Sequence, residues 1–347
     1  MSEKKKWFEY AGDDSDVIVS TRVSLSRNLK GRPFVWRMRA EEREEVLGEI
    51  LAAVGNERLS VAGLFACTRM ESLTKTQAVS LAERGLVTPE FIAKREGKAL
   101  LSCEDESVSI AVNGNDHLLL CAMRPGLDLD GASAAADTLE SVLSRAVSFA
   151  FDREFGYLTA DPANLGTGMH AELTMHLPGL AWGGSLPRLA ANLAGLGLSL
   201  REGAGAEANA GLYRLSNRVT LGISEQTATA NLKSMAYQVV MQERAARETL
   251  CASVECQDRV FRALGVVQNA RLLPLSEFME CFSNVRLGAA QQLYKGGPAL
   301  DTMASVMAKA QPATLTLLMG KTMTASERDA ARASLVRSAW GPKEGSA

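Results

Sequence analysis

Leu101–Gly126 reads LSCEDESVSIAVNGNDHLLLCAMRPG. With the residues just before it, this stretch holds three short apolar runs: Ala99–Cys103, Ser107–Val112 and His117–Met123. An acidic turn separates the first two, and Asn113-Gly114 separates the last two. Short apolar runs bounded by turn residues are strand signals, and Asn-Gly between them marks a hairpin. Hairpins pair antiparallel. The stretch therefore predicts three consecutive antiparallel strands.

Working outward, further strand-like runs are Asp16–Ser20, Gly156–Thr159, Ala171–Leu177, Leu196–Arg201 and Gly211–Ile223. Helical patterns interleave at Ala40–Val54, Thr74–Arg84, Ser133–Phe151 and Ser224–Leu250, with Ser224 as an N-cap. After Leu250 the strands stop. Val260–Leu264, Leu275–Phe282, Leu287–Lys295, Asp301–Lys309 and Glu327–Trp340 read as short amphipathic helices broken at glycines and prolines. Thr324-Ala-Ser-Glu327 is a capping box opening the last one. The fold class is α+β, with an α+β domain over 1–250 and an all-helical domain over 251–347.

The chain has 347 residues, with 38 Lys+Arg against 40 Asp+Glu. That balance argues against a general nucleic-acid binder, which needs a basic surplus. No apolar run approaches the roughly 18 residues of a membrane span. The start, MSEKKKWFEY, has no apolar segment behind its basic cluster, so it does not read as a secretory signal. Six scattered cysteines do not form a disulfide framework and imply a reducing, cytoplasmic setting. Cys251 and Cys256 alone lie close together, and His117, His170 and His176 have no metal-ligand spacing. No metal site is expected. Met235, Met241, Met303 and Met307 read as core filler, and His176 as a strand residue satisfied locally.

Four stretches together resemble the guanidino kinases, and among them the bacterial protein-arginine kinases of the McsB type. They are Gly12–Asn28 (GDDSDVIVSTRVSLSRN), Leu101–Gly126, Asp152–Pro178 (DREFGYLTADPANLGTGMHAELTMHLP) and Gly211–Ser224 (GLYRLSNRVTLGIS). RDAARA at Arg328–Ala333 resembles the RDxxRA element of the same proteins. The resemblance implies a catalytic domain on a curved antiparallel sheet flanked by helices, followed by a helical domain. It implies transfer of the γ-phosphoryl of ATP, with Mg, to a guanidinium of protein arginine. It also implies partners: phospho-arginine proteins, a homo-oligomer or a hetero-oligomer with an active arginine kinase, an activator and a Clp protease.

Phosphoryl transfer leaves a protein mainly with positioning and charge neutralisation. Triphosphates call for several guanidiniums, and an attacking guanidinium needs a carboxylate to orient it and take its proton. Against the family pattern, much of this is missing. S-S-R-x-R reads Ser20-Thr21-Arg22-Val23-Ser24, so Arg22 remains and the second arginine is Ser24. N-E-E-D-H-x-R reads Asn113-Gly114-Asn115-Asp116-His117-Leu118-Leu119. The catalytic glutamate position is thus Asn115, and a nucleotide-binding arginine is Leu119. In the next motif the active-site cysteine is Asp161 and another phosphate arginine is His170. A nucleotide-contacting histidine becomes Gly85, and R-G-x-x-G-E keeps Arg201 in a loop that reads about two residues shorter. Each lost charged hydrogen bond costs roughly 1.5–3 kcal/mol, and loss of a general base about 10²–10⁴-fold in rate. The expectation is a pseudokinase. The alternative is a rewired active kinase, with Asp161 as a displaced base and His170 or Arg218 as a replacement cation. A small-molecule phosphagen kinase ranks last, because the N-terminal helical domain of those enzymes has no counterpart here.

In the RDxxRA element, Arg328 and Arg332 fall on one helix face, with Asp329 beside them. The resemblance implies that Arg328, Asp329, Arg332 and Ala333 line a phospho-arginine pocket. Two guanidiniums can fork a phosphate while the carboxylate pairs with the ligand's own guanidinium. In isolation, such a string is ordinarily a solvated ion-pair face.

Overall fold

The computed structural model describes residues 5–56, 65–203, 207, 210–295 and 297–341. Its strands are β1 (Ile18–Arg27), β2 (Ala66–Arg69), β3 (Ala99–Ser102), β4 (Val108–Val112), β5 (Leu118–Pro125), β6 (Phe151–Asp152), β7 (Gly156–Tyr157), β8 (Met169–His176), β9 (Leu198–Glu202) and β10 (Leu212–Asn217). Eight form one sheet in the order β2-β3-β4-β5-β1-β8-β10-β9, and β6 pairs β7 separately. Each pairing is antiparallel. The three strands expected from Ala99–Met123 are β3, β4 and β5. The hairpin between the last two closes on Asn113, not Gly114. Asn113 adopts φ 62° and its N–H donates to the His117 carbonyl at 2.8 Å.

The helices are α1 (Ala40–Asn56), α2 (Lys75–Glu83), α3 (Pro89–Ala93), α4 (Leu129–Ser144), α5 (Pro178–Trp182), α6 (Leu186–Gly195), α7 (Glu225–Cys251), α8 (Val254–Asn269), α9 (Leu275–Ala290), α10 (Leu300–Lys309), α11 (Pro312–Leu318) and α12 (Ala325–Trp340). Period-2 alternation along the strands sorts side chains between two faces. Val23, Leu25, Leu120, Ala171 and Leu173 face a core shared with α1, α4, α6 and α7. On the other face, Leu100 and Ala111 pack with residues of α2 and α3. Val19 and Leu212 pack with α8–α10 and α12 on that face too. Between those two covered ends lies an open stretch of sheet.

The helical C-terminal part is tied on by charge as well as apolar packing. Arg247, fully buried, bonds the Glu243 carboxylate (2.6 Å), the Asp16 carbonyl (2.9 Å) and the His176 carbonyl (2.7 Å). His176 Nε2 lies 2.9 Å from the Ser283 hydroxyl of α9, and Nδ1 lies 3.2 Å from Arg247. Its ring is therefore satisfied by α7 and α9, not locally. Burial, reinforced by the Arg247 and Arg286 charges, holds the His176 pKa well below the usual value. The Glu83 carboxylate receives the Ala313 and Thr314 N–H groups at the start of α11.

Several elements differ from their sequence outlines. β1 runs on to Arg27, and α4 begins earlier and ends at Ser144. α8 is a full helix from Val254 that runs through Gly265, where a break is expected, and α9 joins the separate spans Leu275–Phe282 and Leu287–Lys295 up to Ala290. β2, α3, α6 and α11 have no counterpart in the outline. Met303 is buried as expected, but Met241 is 65% exposed and is not core filler.

Candidate functional site

The open stretch of sheet floors a cavity of about 340 Å³. β1 presents Arg22, Ser24 and Ser26 to it, and β8 presents His170 and Glu172. In the β1–β8 register Arg22 pairs with Glu172 and Ser24 with His170. Asn115, Asp116 and Leu119 enter from the β4–β5 hairpin, and Asp161, Asn164 and Gly168 from the loop before β8. Val87, Thr88, Glu90, Phe91 and Lys98 close one side, and Arg214 of β10 another.

Local hydrogen bonds hold this arrangement. The Asp116 carboxylate accepts from Asn28 Nδ2 (2.6 Å) and the Ala160 N–H (2.7 Å), pinning the Asp161 loop to the hairpin. Asn28 Oδ1 accepts the His117 N–H, and His117 Nδ1 accepts the Leu29 N–H. His117 Nε2 then donates to the Pro33 carbonyl at 2.9 Å, so the buried ring is neutral. Burial accordingly lowers its pKa. Asp161 caps the turn that follows it, its Oδ1 accepting the Ala163 N–H at 2.9 Å. Asn217 clamps β8 by accepting from the Ala171 N–H (2.7 Å) and donating to the Met169 carbonyl (3.1 Å). Gly166 and Gly168 have φ of +102° and +60°, and a Cβ at either would strike backbone within 2.7 Å. The Gly-Thr-Gly step is a steric requirement of the loop.

The sequence-predicted residues distribute as follows. Arg22, Ser24, Asn115, Leu119, Asp161 and His170 all line the one cavity. Ser20 lines an adjoining space of about 260 Å³ that also carries Arg22, Gly85, Glu172 and Arg214. Thr21 points the other way. Its hydroxyl donates to the Gly126 carbonyl (2.6 Å) and accepts the Asp128 N–H (3.0 Å), which makes it a strand-to-helix tie. Arg201 is exposed on the edge strand β9, and neither it nor Arg218 lines the cavity. Ala204–Ala206 of the shortened loop lie outside the described residues.

Four charged residues of the cavity were not singled out from sequence: Glu90, Lys98, Glu172 and Arg214. For Glu172 a signal existed, since it is two residues from His170 on one strand and must share its face. Glu172 lies 3.7 Å from His170 Nε2 and 3.8 Å from Arg214 Nη1. Burial opposes its ionisation, yet the His170 contact and the Arg214 and Arg22 charges outweigh it and lower its pKa. Arg214 is further bound by Glu207 at 2.8 Å. Lys98 Nζ donates to the Phe91 carbonyl (3.1 Å) and sits over the Phe91 ring.

Among the described residues, three cations (Arg22, Lys98, Arg214) therefore meet four carboxylates (Glu90, Asp116, Asp161, Glu172) in this cavity. That set does not fit a magnesium triphosphate, which needs a clear cationic excess. No group of three or more metal-ligating side chains occurs among the described residues. Asn115, at the mouth of the hairpin, is a carboxamide and accepts no proton at neutral pH.

The RDxxRA residues lie far apart in exposure. Arg332 is 1% exposed. Its guanidinium bonds the Ala310 carbonyl (2.9 Å), the Leu273 carbonyl (2.8 Å) and Asp329 (2.8 Å). It is a staple joining α12 to the ends of α10 and of the α8–α9 loop, not one arm of an open fork. Ala333 is buried in the helical core. Arg328 is half-buried, donating to the Met323 carbonyl at 2.9 Å, and Asp329 is partly exposed.

The sheet and its flanking helices define a guanidino-kinase fold. Two solved structures share it: the duplicated taurocyamine kinase from Schistosoma mansoni (TM-score 0.62, 23% identity, 76% of this chain and 40% of that one) and a lombricine kinase (TM-score 0.56, 18% identity, 70% and 72%). Residues 47–246 match the ATP:guanido phosphotransferase C-terminal catalytic domain, and residues 253–345 match the protein-arginine kinase McsB C-terminal domain. Protein-arginine kinases from Moorella thermoacetica and Pelotomaculum thermopropionicum are 37% and 36% identical to it. The first alignment covers 97% of both chains, the second 95% of this chain and 94% of the relative. The chain belongs to the protein-arginine kinase family.

Proposed function

We propose that this chain is a catalytically impaired protein-arginine kinase homologue. In this reading it binds phospho-arginine proteins and acts as a regulator or adaptor in protein quality control. The carrying observation is the charge of the cavity. Its shape follows the motifs, but carboxylates outnumber cations and the base position is Asn115. Arg328 and Asp329 would take the phosphoryl group and the ligand guanidinium, while Arg332 keeps α12 in register. The other partners implied are a second copy or an active kinase, an activator and a Clp protease.

A rewired active kinase is the rival, because Asp161 does share the cavity with Arg22 and His170. One experiment separates them. The folded protein is incubated with magnesium ATP and an arginine-rich acceptor, and phospho-arginine is sought by mass spectrometry. The same preparation is titrated with phospho-arginine. No transfer is expected, with saturable binding that weakens in Arg328→Ala. Transfer that disappears in Asp161→Asn, or a titration without any signal, overturns the reading.

A further inference from the structure

Beside the cavity, past Asn115 and Asp161, runs a second groove of about 450 Å³. Its walls carry Trp36, Arg43 and Lys94, and it shares Lys98, Glu90 and Asp161 with the cavity. The charge here is reversed from that of the cavity, with three cations against two carboxylates. Among the described residues none of the three cations makes a salt bridge. Arg43 donates from Nη2 to the Val35 carbonyl (3.2 Å), and its Nε is buried without a partner. Lys98 has only the Phe91 carbonyl and ring.

The three are close enough to feel one another. Burial, and then the Arg43 and Lys94 charges, lower the Lys98 pKa. With three cations against two carboxylates the groove keeps a cationic excess, and an anion placed among Arg43, Lys94 and Lys98 relieves their mutual repulsion. A doubly charged oxyanion suits three donors of this kind better than a single carboxylate does. Trp36, 65% exposed, adds a flat apolar wall at the rim.

We infer that this groove binds a phosphoryl dianion, through Arg43, Lys94 and Lys98, with Trp36 packing against whatever carries the phosphoryl group. The site is separate from α12 and stands whether or not the chain transfers phosphate.

The probes are inorganic phosphate and a short peptide bearing one phosphorylated side chain, titrated calorimetrically into the full chain at low ionic strength. Lys94 is exposed, and among the described residues its side chain makes no hydrogen bond or salt bridge, so Lys94→Glu should fold as the parent does, checked by circular dichroism. Phosphate binding that falls about tenfold or more in Lys94→Glu, and persists in Arg328→Ala, is the expected result. Tighter binding of the peptide, weakened in Trp36→Ala, assigns the phosphoryl group to a partner protein. Equal affinities with no Trp36 effect assign it to a free phosphate-sized ion, and either result supports the site. No binding of either probe, or binding indifferent to Lys94→Glu, overturns it. Failure of phospho-arginine binding in Arg328→Ala alone would touch only the α12 reading.

Discussion

The cavity on the sheet and the face of α12 present opposite situations. In the cavity the motif is broken but the space is open. Arg22 meets Ser24, Leu119 and His170 where the family pattern has arginines, yet backbone, turns and clamps stand in place. On α12 the motif is whole, yet half of it is closed. Arg332 spends its donors on two carbonyls and Asp329, leaving Arg328 as the accessible guanidinium. A motif match therefore reports which residues are present, not which are available. Availability depends on burial and on who already holds each hydrogen.

The sharpest break of that contrast is Arg332→Ala. It strands two buried carbonyls and a carboxylate, and about 3 kcal/mol of stability should disappear in a urea unfolding curve. Unchanged stability would mean that Arg332 is free for ligand after all. Arg328→Ala should do the reverse: stability within about 1 kcal/mol of the parent, but phospho-arginine affinity down about tenfold or more. On the cavity side, Glu172→Gln removes a carboxylate facing Arg22 and Arg214. Affinity for a nucleoside triphosphate, weak in the parent, should rise by about tenfold in a fluorescence titration. No gain would show that charge balance is not what limits the cavity.

The smallest effect concerns pH. The folded pKa of Glu172 lies below its ordinary value. Its contribution is therefore fully present above the unfolded carboxylate pKa, and is lost as pH falls through the folded value. The stability difference between parent and Glu172→Gln should be steady near neutrality and shrink under acid conditions. A difference that grows on acidification would reverse the sign of the shift.

Much of this was legible in the residues. The β3–β4–β5 meander follows from Ala99–Met123 because each strand is short, apolar and bounded by turn residues. The sequence signals β1 only over Asp16–Ser20, since Thr21–Arg27 alternates polar groups whose partners lie far away in the chain. Arg22 looks across to Glu172, and Arg27 to Glu140 and Glu225. The sequence reads α9 as two helices, Leu275–Phe282 and Leu287–Lys295, with the polar Ser283, Asn284 and Arg286 falling between them. Arg286 is buried in the helix because the Ser15 carbonyl receives its guanidinium, and the half-buried Ser283 hydroxyl accepts from His176 Nε2. Of the residues tied to the catalytic-domain motifs, Arg22, Ser24, Asn115, Leu119, Asp161 and His170 converge on the cavity, whereas Ser20, Thr21, Gly85, Arg201 and Arg218 do not. Glu90, Lys98 and Arg214 have no local signature, because only folding brings α3, the residue preceding β3, and β10 to one place.

The seam between the sheet and the C-terminal helices has a consequence for the order of synthesis. Asp14 and Asp16 wait for Arg244, Ser15 for Arg286, and Glu9 for Lys309, which stands 300 positions later. At about 5–20 residues per second, roughly 15–60 s pass before that last partner leaves the ribosome. Through that interval Glu9 lacks its Lys309 partner, and the sheet residues Val19 and Leu212 lack the later C-terminal helices that cover them. A nascent chain stalled near Cys251 would therefore hold an uncovered sheet face around Val19 and Leu212, with Ser15 and Glu9 still waiting for their C-terminal partners.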